Sequence, residues 1–143
     1  MFTHEYDCSV TIGPADDLPN TWVAHCLEFD VVTQGDTPEH ALQMIYEAVS
    51  MVVCDDLERG ADPNERRAPD SEWALLSRIR EDGDPVRFAD AARAALDAGG
   101  HCRIALNFQL AVAEASAEAL EPHSLPSHML PYSDGHGTLV ASV

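Results

Sequence analysis

The feature that most constrains the fold is a change of hydrophobic period between residues 22 and 53. Residues 22–29 and 31–34 are short apolar runs typical of strands, separated by Asp30. From residue 41 onward the apolar side chains instead recur every three or four positions, as in a helix that buries one face. Short strands that run directly into an amphipathic helix predict an α+β domain, with the helix covering one face of an antiparallel sheet.

The residues before this helix are suited to a helix N-terminus. Thr37 offers a capping hydroxyl, Pro38 fits the first helical position, and Glu39 lies at the positive end of the helix dipole. We expect the helix to end near Arg59, with Gly60 as a left-handed cap. The predicted buried stripe is Ala41, Leu42, Ile45, Ala48, Val49, Val52 and Val53, widened by Met44, Met51 and Leu57.

The rest of the chain adds strands and helices around this unit. Residues 6–12 alternate apolar and polar side chains, and the segment 13–21 is typical of a hairpin loop. We therefore predict an antiparallel β-β-β-α core within residues 1–60. Residues 61–143 form a C-terminal extension packed on it, with helices, a strand over 101–112 and a tail containing prolines and histidines. The long strand either completes the N-terminal sheet or pairs with a second subunit.

The charge distribution limits the classes of partner. The chain has 25 acidic residues and 8 arginines without a lysine, and its first 58 residues contain no basic side chain apart from histidine. Nucleic-acid binding draws most of its affinity from Lys and Arg contacts to phosphates, so direct binding of DNA or RNA is not expected. A basic protein partner is favoured, because complementary fields speed association. The alternative is that the acidity only maintains solubility.

Composition and cysteine usage favour a cytoplasmic protein. No apolar run is long enough for a membrane span, and the first residues lack the basic and apolar regions of a signal peptide. The cysteines are widely spaced and lie in apolar patterns, so we expect small buried thiols rather than disulfides or a zinc site. They are Cys8, Cys26, Cys54 and Cys102.

No arrangement of residues predicts catalysis. Glu28, Asp30 and Asp36 lie close enough in sequence to suggest a two-metal nuclease, but such an enzyme also needs basic residues to hold phosphates. Neighbouring residues of a strand point to opposite faces, so the dipeptides 25–26 and 101–102, each His followed by Cys, are not natural chelates. We therefore predict no catalytic residue, no metal ligand and no cofactor, and we do not expect an enzyme.

The junction Thr33-Gln34-Gly35-Asp36-Thr37 resembles the signature of HicB-like antitoxins. The resemblance covers about residues 5–58 and includes a tyrosine in the first strand and an acidic end to the second. It implies a partial RNase H-type domain that binds a small basic RNase toxin of the HicA-like kind and covers its active site. Gly35 is expected to take the positive φ needed where strand meets helix.

The resemblance and the charge together suggest a docking surface. We expect Glu28, Asp30 and Asp36 to contact the toxin, because they flank the junction and have no basic neighbour in sequence. His40 stands where family members often carry Glu, and the C-terminal half has no helix with clustered arginines that would read an operator. The alternative function is a stand-alone binding module of the HicB-like superfamily without a toxin. A homo-oligomer is expected under either reading.

Overall fold

The chain folds as an antiparallel sheet with helices on both faces, in a computed structural model that describes residues 3–97, 103–113, 118–119 and 140–142. The main strands are β1 (Thr3–Pro14), β2 (Trp22–Cys26), β3 (Val31–Gly35) and β5 (Arg103–Ala113). The helices are α1 (Pro38–Glu58), α2 (Asp70–Asp82) and α3 (Phe88–Asp97), and a 3-10 turn occupies Pro63–Glu65. Three short strands complete the described part: β4 (Asp84–Pro85), β6 (Glu118–Ala119) and β7 (Val140–Ser142).

The sheet has β1 near its centre. The strand order is β3-β2-β1-β5-β7-β4, with β6 also paired to β5, and every pairing is antiparallel. Val10 of β1 lies opposite Cys26 on one side and Leu106 on the other. The predicted α+β class and β-β-β-α order are therefore confirmed. Of the two alternatives for the long strand, the structure has the first, because β5 joins the N-terminal sheet.

One face of the sheet packs against α1 and α3. Alternate residues of β1, β2 and β5 form this core, and on α1 the fully buried residues include Ile45, Tyr46 and Val49. Parts of the predicted stripe differ. Ala48 and Val52 are only partly buried, as are Met44 and Leu57 at its margin, and Met51 is 72% exposed. The buried positions follow the helical period through Val53 to Asp56, which places residue 52 at the flank of the stripe and residue 51 on the solvent side.

The opposite face of the sheet is covered in part by α2. Leu76 and Ile79 of this helix pack with Leu27 and Ala105, which point away from the first core. Helices therefore lie on both faces of a sheet to which both halves of the chain contribute strands. Within the ranges that the structure describes, no helix combines the length and apolar character needed to cross a membrane.

The cysteines and the helix cap are placed largely as expected. Cys8 and Cys26 are free and fully buried in the first core, and Cys54 is free and partly buried. Burial raises the pKa of the Cys8 thiol well above its usual range. Cys102 and the histidines of the tail lie outside the described residues. Gly60, with φ of 72°, is the left-handed residue that follows α1.

Candidate functional site

The strand-to-helix junction is built as a capped helix start. The Thr37 hydroxyl accepts a hydrogen bond from the backbone N–H of His40 at 3.0 Å, which confirms the predicted cap. The His40 ring in turn accepts from the backbone N–H of Asp36 at 3.0 Å through Nδ1. The side chain of Asp36 is 92% exposed and lies at the end of β3. The junction therefore combines a rigid backbone with a carboxylate open to solvent.

The glycine of the junction is required by close packing. Gly35 does not have the positive φ that was expected, so that prediction was wrong; among the glycines in the described ranges, the positive φ belongs to Gly60. A Cβ atom at Gly35 would lie 2.5 Å from the backbone nitrogen of Ala41 and 2.8 Å from the carbonyl carbon of His40. The end of β3 therefore touches the first turn of α1, and only a residue without a side chain fits there.

The side chains of β3 alternate between the two faces of the sheet. Val31, Thr33 and Gly35 lie opposite Cys26, Ala24 and Trp22, which belong to the α1 core. Val32 and Gln34 are exposed on the side of α2, and Val32 is 58% exposed. The Thr33 hydroxyl oxygen is buried and has no hydrogen-bond partner among the described residues.

The outer edge of β3 carries backbone groups that point away from the sheet. Leu27 N donates to Ser9 O and Ala15 N donates to Thr21 O, both at 2.9 Å. These two bonds show which residues of β2 face β1. In an antiparallel pair every second residue bonds to a given neighbour, so Val23 and His25 also bond to β1. The alternate residues of β2, which include Ala24, bond to β3 instead.

On β3 the groups directed at β2 are therefore those of Val31, Thr33 and Gly35. The N–H and C=O groups of Val32 and Gln34 face outward. β3 is the terminal strand of the sheet, and no described residue forms a backbone hydrogen bond to its outer side.

Glu28 is directed into the protein. Its carboxylate accepts hydrogen bonds from the Ser9 backbone N–H at 2.6 Å and from the Ser9 hydroxyl at 2.7 Å. Burial raises the pKa of the Glu28 carboxyl, and the hydrogen bonds from Ser9 oppose that rise. Both oxygens are therefore already engaged, and the structure does not bring Glu28 together with Asp30 and Asp36 on one open surface.

A second buried polar contact lies beside Glu28. Arg80 of α2 donates from Nη2 to Asn107 Oδ1 on β5, and its Nε is buried without a partner among the described residues. Burial lowers the pKa of the Arg80 guanidinium, and the nearby charge of Glu28 acts in the opposite direction. These groups fasten α2 to the sheet.

Asp30 is held in an unusual backbone conformation by a histidine. Its φ is 54°, and its Oδ1 lies 2.8 Å from His25 Nε2. The other ring nitrogen of His25, Nδ1, lies 3.7 Å from Glu72 Oε2 on α2. The His25 side chain is only 14% exposed, whereas that of Asp30 is 47% exposed. The imidazole therefore joins the turn before β3 to α2, a link that sequence spacing alone did not suggest.

A groove of about 200 Å³ lies beside α2 on the second face of the sheet and extends across the strands to β3. We call it the β3 groove. Val23 and Val32 line it from the sheet, and Glu72 and Leu75 line it from α2; the remaining lining residues are Thr11, Gly13, Pro14, His25 and Arg103. Its walls thus combine apolar surface with a carboxylate, an imidazole and a guanidinium group, and Val32 is the residue through which it reaches β3.

A larger, open cavity of about 660 Å³ lies at the end of the sheet where β1 turns into β2, and it shares Pro14 and Arg103 with the β3 groove. It is bounded by the β1–β2 hairpin loop, Leu96 of α3 and Arg103. Leu18 and Leu96 on its walls are each 47% exposed. Its lining contains no pair of groups arranged for acid–base or nucleophilic chemistry.

The described part of the chain also lacks a cluster of three or more His, Cys, Asp or Glu side chains placed to hold a metal ion. The arrangement nearest to such a cluster is His25 with Asp30 and Glu72. There the two carboxylates lie at opposite nitrogens of one ring, so they do not converge on a single point.

Comparisons with models of known protein families, with curated proteins and with solved structures each returned no match. The resemblance to HicB-like antitoxins therefore rests on the residue pattern of the first 58 residues. The geometry around β3 supplies the physical basis for a functional proposal.

Proposed function

We propose that this chain is a HicB-like antitoxin, with a partial RNase H-type fold, that acts in the cytoplasm. It binds a small basic RNase toxin of the HicA-like kind and covers the toxin's active site. The observation that carries the proposal is the exposed acidic surface at the two ends of β3. Asp30 and Asp36 lie there, their side chains 47% and 92% exposed, and no Arg or Lys occurs before residue 59.

The physical mechanism is competition for a cationic surface. An RNase holds its substrate largely through basic side chains that contact phosphates. Carboxylates on a rigid strand and helix start offer those side chains an alternative partner, and the opposite fields of the two proteins speed their encounter. Neutralisation by occlusion requires no catalytic residue in the antitoxin. It requires a preformed acidic surface, and the packed Gly35 junction holds Asp36 in such a surface.

A second candidate is a stand-alone oligomeric binding module without a toxin. The observation that favours it is the open outer edge of β3, where Val32 is 58% exposed. Exposed strand edges are common sites of pairing with another chain. In that case a second copy of the protein, rather than a toxin, would cover β3.

The proposal is tested by co-expression with the product of the adjacent open reading frame, which the proposal expects to be a small basic protein. The assay measures growth rescue and recovery of the complex by pull-down. Because Glu28 is engaged by Ser9, the variant leaves it unchanged and combines Asp30→Asn with Asp36→Lys. Asn tolerates the positive φ at position 30. Asp90→Asn with Asp97→Lys on α3 makes the same change of formal charge away from β3.

We expect the β3 variant to weaken the complex and the rescue more than the α3 control. Association should also slow as salt rises, because the ionic atmosphere screens charges beyond about 8–10 Å. Equal effects of the two variants, or the lack of any neighbouring protein that binds, would contradict the antitoxin proposal.

A further inference from the structure

We propose that β3 is a strand-addition site that pairs with an extended, Arg- or Lys-bearing segment of a partner protein. The inference rests on the proposed function for the basic character of the partner and goes beyond it in naming the mode of binding. The added segment extends the sheet by one strand beyond β3 and places its side chains alternately over the β3 groove and over the α1 side.

The backbone of β3 supplies the hydrogen bonds. The outward N–H and C=O groups of Val32 and Gln34 are donors and acceptors in the spacing that an added antiparallel strand requires. Natural proteins usually protect such edges with lysine, proline or a bulge. Residues 31–35 contain neither lysine nor proline, and Val31 to Gly35 pair one to one with β2 without a bulge. Among the described residues, the edge therefore carries none of these three protections against pairing.

The side chains beside the edge suit an amphipathic residue of the incoming strand. Val23, Val32 and Leu75 give the β3 groove an apolar wall, and Glu72 lies on its α2 side. The cation of the groove, Arg103, lines it from β5, three strands away from β3, so the carboxylate is the charged group on the α2 side. An arginine or lysine can lay its alkyl stem along apolar surface while its charged group reaches a carboxylate. The roughly 200 Å³ of the groove is enough for one such side chain rather than a folded element.

Charge argues for a basic segment rather than a second copy of this chain. Asp30 precedes β3 and Asp36 follows it, so carboxylates bracket the strand at both ends. If two copies paired through β3 in antiparallel fashion about Thr33, Asp30 of each copy would approach Asp36 of the other. Like charges directly opposite each other destabilise a strand pair. Residues 114–139 of this chain also contain acidic side chains and no Arg or Lys.

The test removes one outward N–H and keeps the charge. Proline at position 34 lacks the N–H and is tolerated at edge positions, because no hydrogen bond to β2 is lost there. Gln34→Ala is the matched control, since it removes the same side chain and retains the N–H. The probe is a fluorescein-labelled peptide of about ten residues that alternates Arg and Val, long enough to span β3. Binding is measured by fluorescence anisotropy, and circular dichroism melts check that each variant folds.

We expect the wild type and Gln34→Ala to bind equally and Gln34→Pro to bind about tenfold more weakly. A peptide that alternates Glu and Val should not bind. If Gln34→Pro fails to fold, the test uses the wild-type protein and a version of the peptide that is N-methylated at alternate residues. This modified peptide should not bind to the wild type. Unchanged binding by Gln34→Pro or by the N-methylated peptide would overturn strand addition. So would a wild-type dimer in sedimentation equilibrium that Gln34→Pro dissociates, because the occupant would then be a second copy.

The growth-rescue assay separates this inference from the antitoxin role. If Gln34→Pro folds and neutralises the toxin as well as wild type does, strand addition is wrong while the antitoxin role stands. If no toxin is found but the peptide distinguishes Gln34→Pro from Gln34→Ala, β3 is a strand-addition site and the antitoxin role is wrong.

Discussion

The Glu28 carboxylate closes the turn between β2 and β3 onto β1 through two hydrogen bonds from Ser9. The Ser9 carbonyl also accepts from the Leu27 N–H at 2.9 Å, so the two chain segments are joined at three points. The carboxylate is consequently held largely away from solvent. This explains why an acidic residue beside the junction is not part of its open acidic surface.

The first prediction concerns the pH dependence of this contact. Because the folded-state pKa of Glu28 is raised by burial, the folded protein retains the proton more readily than the unfolded chain does. The stability due to this group is fully present when the pH is below the ordinary glutamate pKa of about 4.3. It is lost as the pH rises through the higher pKa of the folded state. Urea denaturation from pH 3 upward should show this decline relative to Glu28→Gln.

Glu28→Gln keeps an oxygen to accept from the Ser9 N–H and has no charge to titrate. The difference in unfolding free energy between the wild type and this variant should therefore move in favour of the variant as pH rises. A constant difference across that range would contradict the proposed effect of burial.

The second prediction concerns the contact between β3 and α1. Gly35→Ala places a methyl group against the backbone of Ala41, and overpacking of this kind costs about 1–3 kcal/mol. Gly13→Ala is the control, because its nearest neighbour is the Nη1 end of the flexible Arg103 side chain. Thermal melts should show the larger loss for Gly35→Ala, and the reverse order would refute a rigid backbone contact.

The third prediction concerns the register of α1. Ile45→Ala removes a fully buried side chain and should lower the free energy of unfolding by about 2–5 kcal/mol. Met51→Ala on the same helix removes a side chain that is 72% exposed and should change it by less than about 0.5 kcal/mol. Chemical denaturation of both variants measures the contrast; similar losses would mean that residue 51 faces a packed surface.

The fourth prediction concerns Asp56, which is 2% exposed near the end of α1. Arg66 donates to both of its oxygens, at 2.7 and 3.0 Å, and Arg59 donates to one at 2.7 Å. Asp56→Ala should cost about 1–3 kcal/mol because it removes both hydrogen bonds of Arg66 to this carboxylate and one of Arg59, which keeps its contact with Asp55. Asp55→Ala, at an exposed carboxylate that contacts Arg59 alone, should cost no more than about 1 kcal/mol.

The same aspartate also predicts acid sensitivity. The hydrogen bond from Arg66 lowers the pKa of Asp56 below its ordinary value. A lowered folded-state pKa contributes stability when the pH is above the ordinary aspartate pKa of about 3.9. That stability is lost as the pH falls through the lower pKa of the folded state. Acid denaturation monitored by circular dichroism should therefore be less steep for Asp56→Asn. An acid transition that is identical in the wild type and Asp56→Asn would contradict a lowered pKa for Asp56.

Features that depend on near neighbours were predicted from the sequence. The Thr37 cap needs only the N–H three residues later, and the alternation of residues 6–12 specifies a strand whichever partner it meets. The predicted end of β2 was less accurate. β2 stops at Cys26 because Asp30 adopts a positive φ and Glu28 turns toward Ser9, contacts that no local pattern specifies.

Apart from the addition of the long strand to the N-terminal sheet, which was one of two alternatives, features that join distant segments were not predicted. The pairing of Arg80 with Asn107, and the approach of Glu72 to His25, require that α2 lie on the second face of the sheet. An amphipathic pattern indicates that a helix buries one side but does not say which surface receives it. The β3 groove exists only because of that placement, so its lining was not visible in the sequence.

The central position of β1 has a consequence for synthesis of the chain. Ile12 pairs with Ile104 and Thr3 with Ala113. One side of β1 therefore has no β5 partner until a strand that is translated much later has been made. At about 5–20 residues per second, the ribosome needs on the order of 5–20 s to make the intervening segment. During that time the edge bearing Cys8, Val10 and Ile12 is available to chaperones or to other nascent chains. A chain released before β5 is complete would therefore be a target for proteolysis and aggregation rather than a working half.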